Sequence, residues 1–238
     1  MVDRHRIAKR LMFSERGISG KGGIPQPDPA DRWFSRLSVF APVIVFDGAI
    51  SNSLGESVPA GCGIGKVCRR LADVQKEWAE LESYDYPWFV IEPRSMNGGG
   101  IDEVCRTILS AASYTDNIEI VIPFESPVRP RGMERSLLAE VGSLPVKVVC
   151  IRDVSGGYSP GEWVSTLNMF LAALPDRGTI EFGIFPSDAH GLAAANALEA
   201  FRLGFRRFEG SFREGSSGFL DLARFASLIR EIAEEAGR

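Results

Sequence analysis

Short runs of β-branched and aromatic residues alternate with longer segments of helical periodicity along most of the chain, which leaves few architectures open. The strand candidates are Val43–Phe46, Trp88–Glu92, Ile118–Pro123, Val146–Ile151, Thr179–Phe185 and Phe205–Glu209. Between them, Val67, Leu71, Val74, Trp78 and Leu81 recur at helical spacing, as do Val164, Leu167, Leu171 and Leu174. Each such helix shows one apolar stripe to a sheet. Asp102 after Gly98-Gly99-Gly100, and Ser159-Pro160-Gly161-Glu162, read as helix starts. Successive βα units with nearly continuous apolar strands imply a parallel sheet covered on both faces. The expected fold class is α/β, a (β/α) barrel. A closed barrel wants about eight strands where six stand out. Either two are disguised, near Leu37–Phe40 and within Pro127–Gly132, or the barrel is shortened or incomplete relative to eight βα units.

Composition narrows the partners. The chain has 238 residues, 45% of them hydrophobic and 24% charged, with a formal net charge of -4, the balance of a globular domain. Its basic residues cluster only in the first ten positions, at Arg4, Arg6, Lys9 and Arg10, so neither nucleic acid nor an anionic membrane is the expected partner. No apolar run reaches the ~20 residues of a membrane span and no signal-peptide pattern opens the chain, so a cytoplasmic location is expected. Cys62, Cys68, Cys105 and Cys150 are too few and too dispersed for a disulfide scaffold and read as reduced thiols. Residues 1–31 read as an N-terminal arm with a Gly/Pro-rich linker, a loose tail or a docking arm for a homo- or hetero-oligomer, and residues 32–238 as the barrel domain.

From Val148 the chain reads Val-Val-Cys-Ile-Arg-Asp-Val-Ser-Gly-Gly-Tyr-Ser-Pro, then Gly191-Leu192-Ala193-Ala194-Ala195-Asn196-Ala197-Leu198-Glu199-Ala200 and Leu203-Gly204-Phe205-Arg206-Arg207-Phe208-Glu209-Gly210-Ser211. In that order they resemble the "DT-x-G-x-x-x-P", "GLAxANxLxA" and "AGAxxVxGS" segments of the superfamily of HMG-CoA lyase, isopropylmalate synthase and 4-hydroxy-2-oxovalerate aldolase, the DRE-TIM metallolyases. Val45-Phe46-Asp47-Gly48 is similar to the family's first-strand "LRDG", and Ile91-Glu92 to its second-strand "IE". The resemblance implies a lyase–aldolase barrel that makes or breaks a carbon–carbon bond of a small oxo-acid or acyl-thioester through an enolate. It also implies a divalent metal (Mg, Mn or Zn) held by the Asp of "RDG", two His of "H-x-H-N-D" and often a late Asn. Asp47 matches that Asp. Phe185 and Ser187 stand where the histidines belong, Phe219 near the Asn, and Phe46 where the family has a catalytic Arg. Loss of two imidazoles removes most of the affinity of such a site. The alternative is a catalytically degenerate barrel, a metabolite-binding or partner subunit of an active paralogue.

In a parallel barrel the reacting groups sit at the C-terminal strand ends. The catalytic candidates there are Asp47, Glu92, Arg94, Arg152, Asp153 and His190: Asp47, Glu92 and His190 for acid–base work, and Arg94 or Arg152 as the electrophile. Glu125, Glu209, Ser211 and Ser216 are candidates for substrate binding. A metal set of Asp47, Asp188 and His190 would offer two carboxylates and one imidazole. Asp188 reads equally as the N-cap of the helix beginning near Gly191, with His190 in its first turn. Gly61-Cys62-Gly63-Ile64-Gly65-Lys66 is either a flexible loop or a phosphate cradle.

Overall fold

The computed structural model describes residues 12–18, 43–46, 62–93, 100–124, 132–174, 178, 180–211 and 218–235. Eight parallel strands close a barrel in chain order: β1 Met12–Ile18, β2 Val43–Phe46, β3 Gly63–Cys68, β4 Pro87–Ile91, β5 Ile118–Phe124, β6 Val148–Asp153, β7 Glu181–Phe185 and β8 Arg207–Gly210. The expected barrel is present, and every one of the six strands read from the sequence is in it. The other two are not where disguised strands were sought. Leu37–Phe40 and most of Pro127–Gly132 lie outside the described residues, and Gly132 opens a helix.

One of the additional strands comes from the segment assigned to the N-terminal arm. β1 pairs with β8, Met12 opposite Arg207 and Glu15 opposite Gly210, and with β2, so Met12–Ile18 closes the cylinder. The boundary at residue 31 therefore does not separate an arm from the barrel. The other, β3, takes the place of the expected glycine loop. Gly63 is glycine because β4 puts Trp88 against it: a Cβ there would lie 2.9 Å from the indole. Lys66, read as a phosphate ligand, is buried on the outer face of β3, 2.7 Å from Glu77 and 3.0 Å from Glu80 on the following helix. Val67 likewise belongs to β3 and not to a helix stripe.

Six helices are described: α1 Asp73–Leu81, α2 Gly100–Ala111, α3 Gly132–Val141, α4 Pro160–Ala173, α5 Ala193–Arg202 and α6 Leu222–Glu235. They follow β3 to β8 in turn, and two cores result from the period-two alternation of the strands. Ile118, Ile120, Ile122 and Phe124 of β5 point outward into a cluster shared with the helices. Val43, Val45, Val67, Trp88, Val90, Val121, Val148, Cys150 and Phe185 point inward and fill the cylinder. α4 starts as its sequence demands: the Ser159 and Glu162 side chains cap each other's backbone N–H groups, with Pro160 in the first turn. Leu167, Leu171 and Leu174 of the expected stripe are buried, and Trp163 rather than Val164 fills the first turn of that face beside Thr166 and Phe170.

Candidate active site

The inward-facing positions continue to the C-terminal rim, where register determines what meets. Arg152 of β6 lies between Pro123 of β5 and Phe185 of β7. Glu92 follows the last residue of β4 and donates its backbone N–H to the Cys68 carbonyl at 3.0 Å, which extends the ladder with β3. These placements let Arg152 Nη1 donate to Glu92 Oε1. Arg69, just past β3, brings Nη2 to 3.8 Å from Glu92 Oε2. On its other side the Arg152 guanidinium lies 5.1 Å from the centroid of the Phe185 ring. Phe185 stacks on Phe219 at 5.7 Å with 16° between the rings, and Phe219 is tied down by a bridge to Ser187.

Exposure separates the two partners of the ion pair. The Glu92 side chain is 11% exposed, whereas that of Arg152 is 40% exposed. Among the described residues no acceptor other than Glu92 receives the Arg152 N–H groups. Glu92 and the Phe185 face thus hold a guanidinium that stays open to solvent at the rim. A carboxylate, or a carbonyl oxygen gaining negative charge, is the partner that such a planar fork fits.

Beside this rim, Asp153 organises loops. Its Oδ1 accepts from Gly156 N at 2.7 Å and Ser155 Oγ at 3.1 Å. Burial pushes its carboxyl above the ordinary range, against hydrogen bonds from Gly156, Ser155 and Ser187 that pull it down. Gly156 has φ +67°, and a Cβ on it would lie 2.7 Å from Ala189 Cβ and Ser187 Oγ, so the loops after β6 and β7 interlock. Asp188 is not the N-cap of α5, a position Leu192 takes without a side-chain cap, but its Oδ1 accepts from Ala193 N, the first residue of the helix, at 3.0 Å. His190 is exposed in the turn before α5.

The remaining sequence candidates divide in two. Asp47, Arg94, Glu125 and Ser216 lie outside the described residues. Ser211 is buried, exchanging backbone hydrogen bonds with Leu220 and Leu222. Glu209 is fully buried inside the cylinder. There it joins a group that sequence reasoning did not assemble. Arg207 of β8 donates from Nη2 to Glu119 of β5, both side chains fully buried. The guanidinium lies 5.1 Å from the centroid of the Trp88 ring, which also receives Lys147 Nζ at 5.2 Å. Ligand atoms of Glu119, Cys150 and Glu209 all come within 4.8 Å of one another. Two carboxylates and a thiol have donor chemistry suited to a divalent ion. Arg207 already places a positive charge beside Glu119. The signal for this group was a charge inside an apolar strand, Ile118-Glu119-Ile120 and Arg207-Phe208-Glu209. Burial pushes the Cys62 thiol up to about 11.

No protein-family model matches the chain. Over 111 residues, 46% of the chain, it is 30% identical to 2-isopropylmalate synthase of Salinibacter ruber (strain M8), and it spans about a fifth (20%) of that enzyme's length. The HMG-CoA lyase of Brucella melitensis superposes with a TM-score of 0.64 at 18% identity, over 94% of this chain and 91% of the lyase. The carboxyl transferase domain of Rhizobium etli pyruvate carboxylase, variant Y628A with pyruvate, superposes with a TM-score of 0.67 at 12% identity, over 97% of this chain and 45% of that one. The fold is that of these proteins, and all three fall in the superfamily that the sequence resembles.

Two correspondences of the resemblance change with the fold in hand. Val45-Phe46 ends the second strand and not the first, with Asp47 and Gly48 outside the described residues, and Ile91-Glu92 stands at the end of the fourth and not the second. At the end of β7 the residues present do not fit the divalent metal that the resemblance implies. Phe185 is stacked, Ser187 is bridged to Phe219, and the Asp188 carboxylate accepts from Ala193 N at the start of α5.

Proposed function

We propose that the chain is a lyase–aldolase-type enzyme that makes or breaks a carbon–carbon bond of a small oxo-acid or acyl-thioester at the C-terminal mouth of the barrel. The observation that carries this reading is Arg152, held by Glu92 and the Phe185 ring while its side chain stays 40% exposed at the rim. The relatives' names add the substrate class: an acyl-thioester for the lyase, pyruvate for the carboxyl transferase domain.

In the cleavage direction, a carboxylate takes the proton of the substrate hydroxyl as that oxygen becomes a carbonyl. The carbon–carbon bond breaks, and its electron pair enters the neighbouring carbonyl as an enolate. Negative charge then collects on one oxygen, and a preorganised guanidinium in a partly dry mouth stabilises it more than the ground state. Arg152 is that electrophile. Glu92 orients it, and the proton acceptor is drawn from Glu92 and Asp47. In the synthetic direction the same carboxylate removes the proton next to the carbonyl.

Exchange of pyruvate methyl protons with deuterated solvent, followed by NMR, tests this directly. Enzyme-dependent exchange that falls in Asp47→Asn or Glu92→Gln is expected. Wild-type protein that exchanges neither pyruvate nor an acyl-thioester above buffer contradicts it. The Phe185–Phe219 stack favours one second reading, a barrel that binds a metabolite, or a partner subunit, without turnover. That reading requires ligand binding with no exchange.

A further inference from the structure

We infer that the mouth binds its carboxylate ligand without a divalent metal, the Arg152 guanidinium supplying the positive charge. This rests on the reading of the mouth as an oxo-acid site and says how that site holds its ligand.

The first observation is that the end of β7 is filled. Phe185 and Phe219 lie face to face at 5.7 Å and 16°, so apolar rings cover the inner rim where a metal ligand would have to point. The polar groups that follow have other duties. Ser187 is bridged to Phe219 and its Oγ accepts from Ala189 N, and Asp188 Oδ1 accepts from Ala193 N. Among the described residues the one grouping of three ligand side chains is Glu119, Cys150 and Glu209, and all three are sealed inside the cylinder.

The second observation is a permanent cation in the same neighbourhood. Arg152 spreads over the Phe185 ring at 5.1 Å, so the aromatic residue that takes the histidine's place also supports the guanidinium. Glu92 holds Nη1 and is itself 11% exposed and approached by Arg69, so the clamp is anchored from β4 and from the end of β3. Unlike a hydrated metal ion, an arginine cannot be stripped by a chelator and keeps its charge at any physiological pH. Its fork accepts a carboxylate side-on through two parallel N–H donors.

The test uses Mn²⁺ alone and oxalate as probes on the whole chain. Mn²⁺ binding is read by electron paramagnetic resonance, and oxalate binding by calorimetry in EDTA and again in Mn²⁺. Thermal unfolding checks that each variant is folded. The expected result is no tight stoichiometric Mn²⁺ and an oxalate affinity that agrees between the two buffers. Arg152→Gln should weaken oxalate by about 10- to 100-fold, the value of one charge-assisted hydrogen bond. Arg152→Lys, which keeps the charge and loses the fork, should fall between. Oxalate binding that appears only with Mn²⁺ overturns the inference and leaves the proposed function standing. No oxalate binding in either buffer overturns both. Oxalate binding in EDTA that Arg152→Gln leaves intact overturns the role given to Arg152.

Discussion

Among the described residues two guanidinium–carboxylate pairs join inward-facing positions of the barrel, and they differ in one respect. Arg207–Glu119 is sealed, with both side chains at 0% exposure, whereas in Arg152–Glu92 the arginine is 40% exposed. A sealed pair cannot reach a ligand and cannot be relieved by water, so its removal is felt in the fold. An open pair gains little from its own Coulomb attraction because solvent screens it, so its arrangement is free to serve something that enters. The same chemistry is thus architecture in the middle of the cylinder and a binding device at its rim.

The largest effect is expected at the sealed pair. Arg207→Met leaves Glu119 buried beside Glu209 without its guanidinium and should cost about 3–5 kcal/mol in urea unfolding. Adding Glu119→Leu should recover much of that loss, since an apolar replacement of both partners removes the buried charge. Were the single variant as stable as wild type, the pair would not be structural.

Next is the interlock beside the open pair. Gly156→Ala combines φ +67° with a Cβ placed 2.7 Å from Ala189 and Ser187. A loss of about 1–3 kcal/mol is expected in thermal or urea unfolding. Substrate affinity should fall with it if these loops shape the mouth.

The barrel was largely legible in the sequence because outward positions such as Ile118, Ile120, Ile122 and Phe124 of β5 and Val149 and Ile151 of β6 are large and apolar. β1 was not legible: Met12-Phe13-Ser14-Glu15-Arg16-Gly17-Ile18 mixes charge, glycine and few β-branched residues, and it is a strand through its neighbours β8 and β2. β3 was hidden for the opposite reason, since Gly63 and Gly65 mimic a loop when they in fact make room for Trp88. At the rim, strand-end position put Glu92 and Arg152 among the candidates without separating them from Asp153, Asp188 or His190. The pairing of Glu92 with Arg152, and the contribution of Arg69, needed the register of non-adjacent strands β4 and β6. Of the metal set, Asp188 accepts from the first N–H of α5, His190 is exposed, and Asp47 lies outside the described residues.

Smaller effects come from groups near the rim that do not face it. The Asp153 carboxyl is raised by burial, so its neutral form is favoured in the folded state. Its contribution to stability is therefore greatest at low pH and declines as pH rises from the ordinary carboxylate range, ~4, through the raised folded value. Asp153→Asn keeps the Oδ1 acceptor for Gly156, so unfolding at pH 4 and pH 7 should show the variant gaining on wild type at the higher pH. His190→Ala should be the smallest change, within about 0.5 kcal/mol and without loss of exchange, as for an exposed residue. A hundredfold loss of turnover would restore His190 to the site.

The contrast between sealed and open pairs is tested most directly by Arg152→Gln, measured at once for unfolding free energy and for pyruvate proton exchange. The variant should unfold within about 1 kcal/mol of wild type, as for a screened pair. Its exchange should drop by about 10²-fold or more, the scale of a lost preorganised donor to a developing oxyanion. An Arg152→Gln protein that exchanges at the wild-type rate, or that loses stability as Arg207→Met does, would contradict the assignment of the rim pair to function.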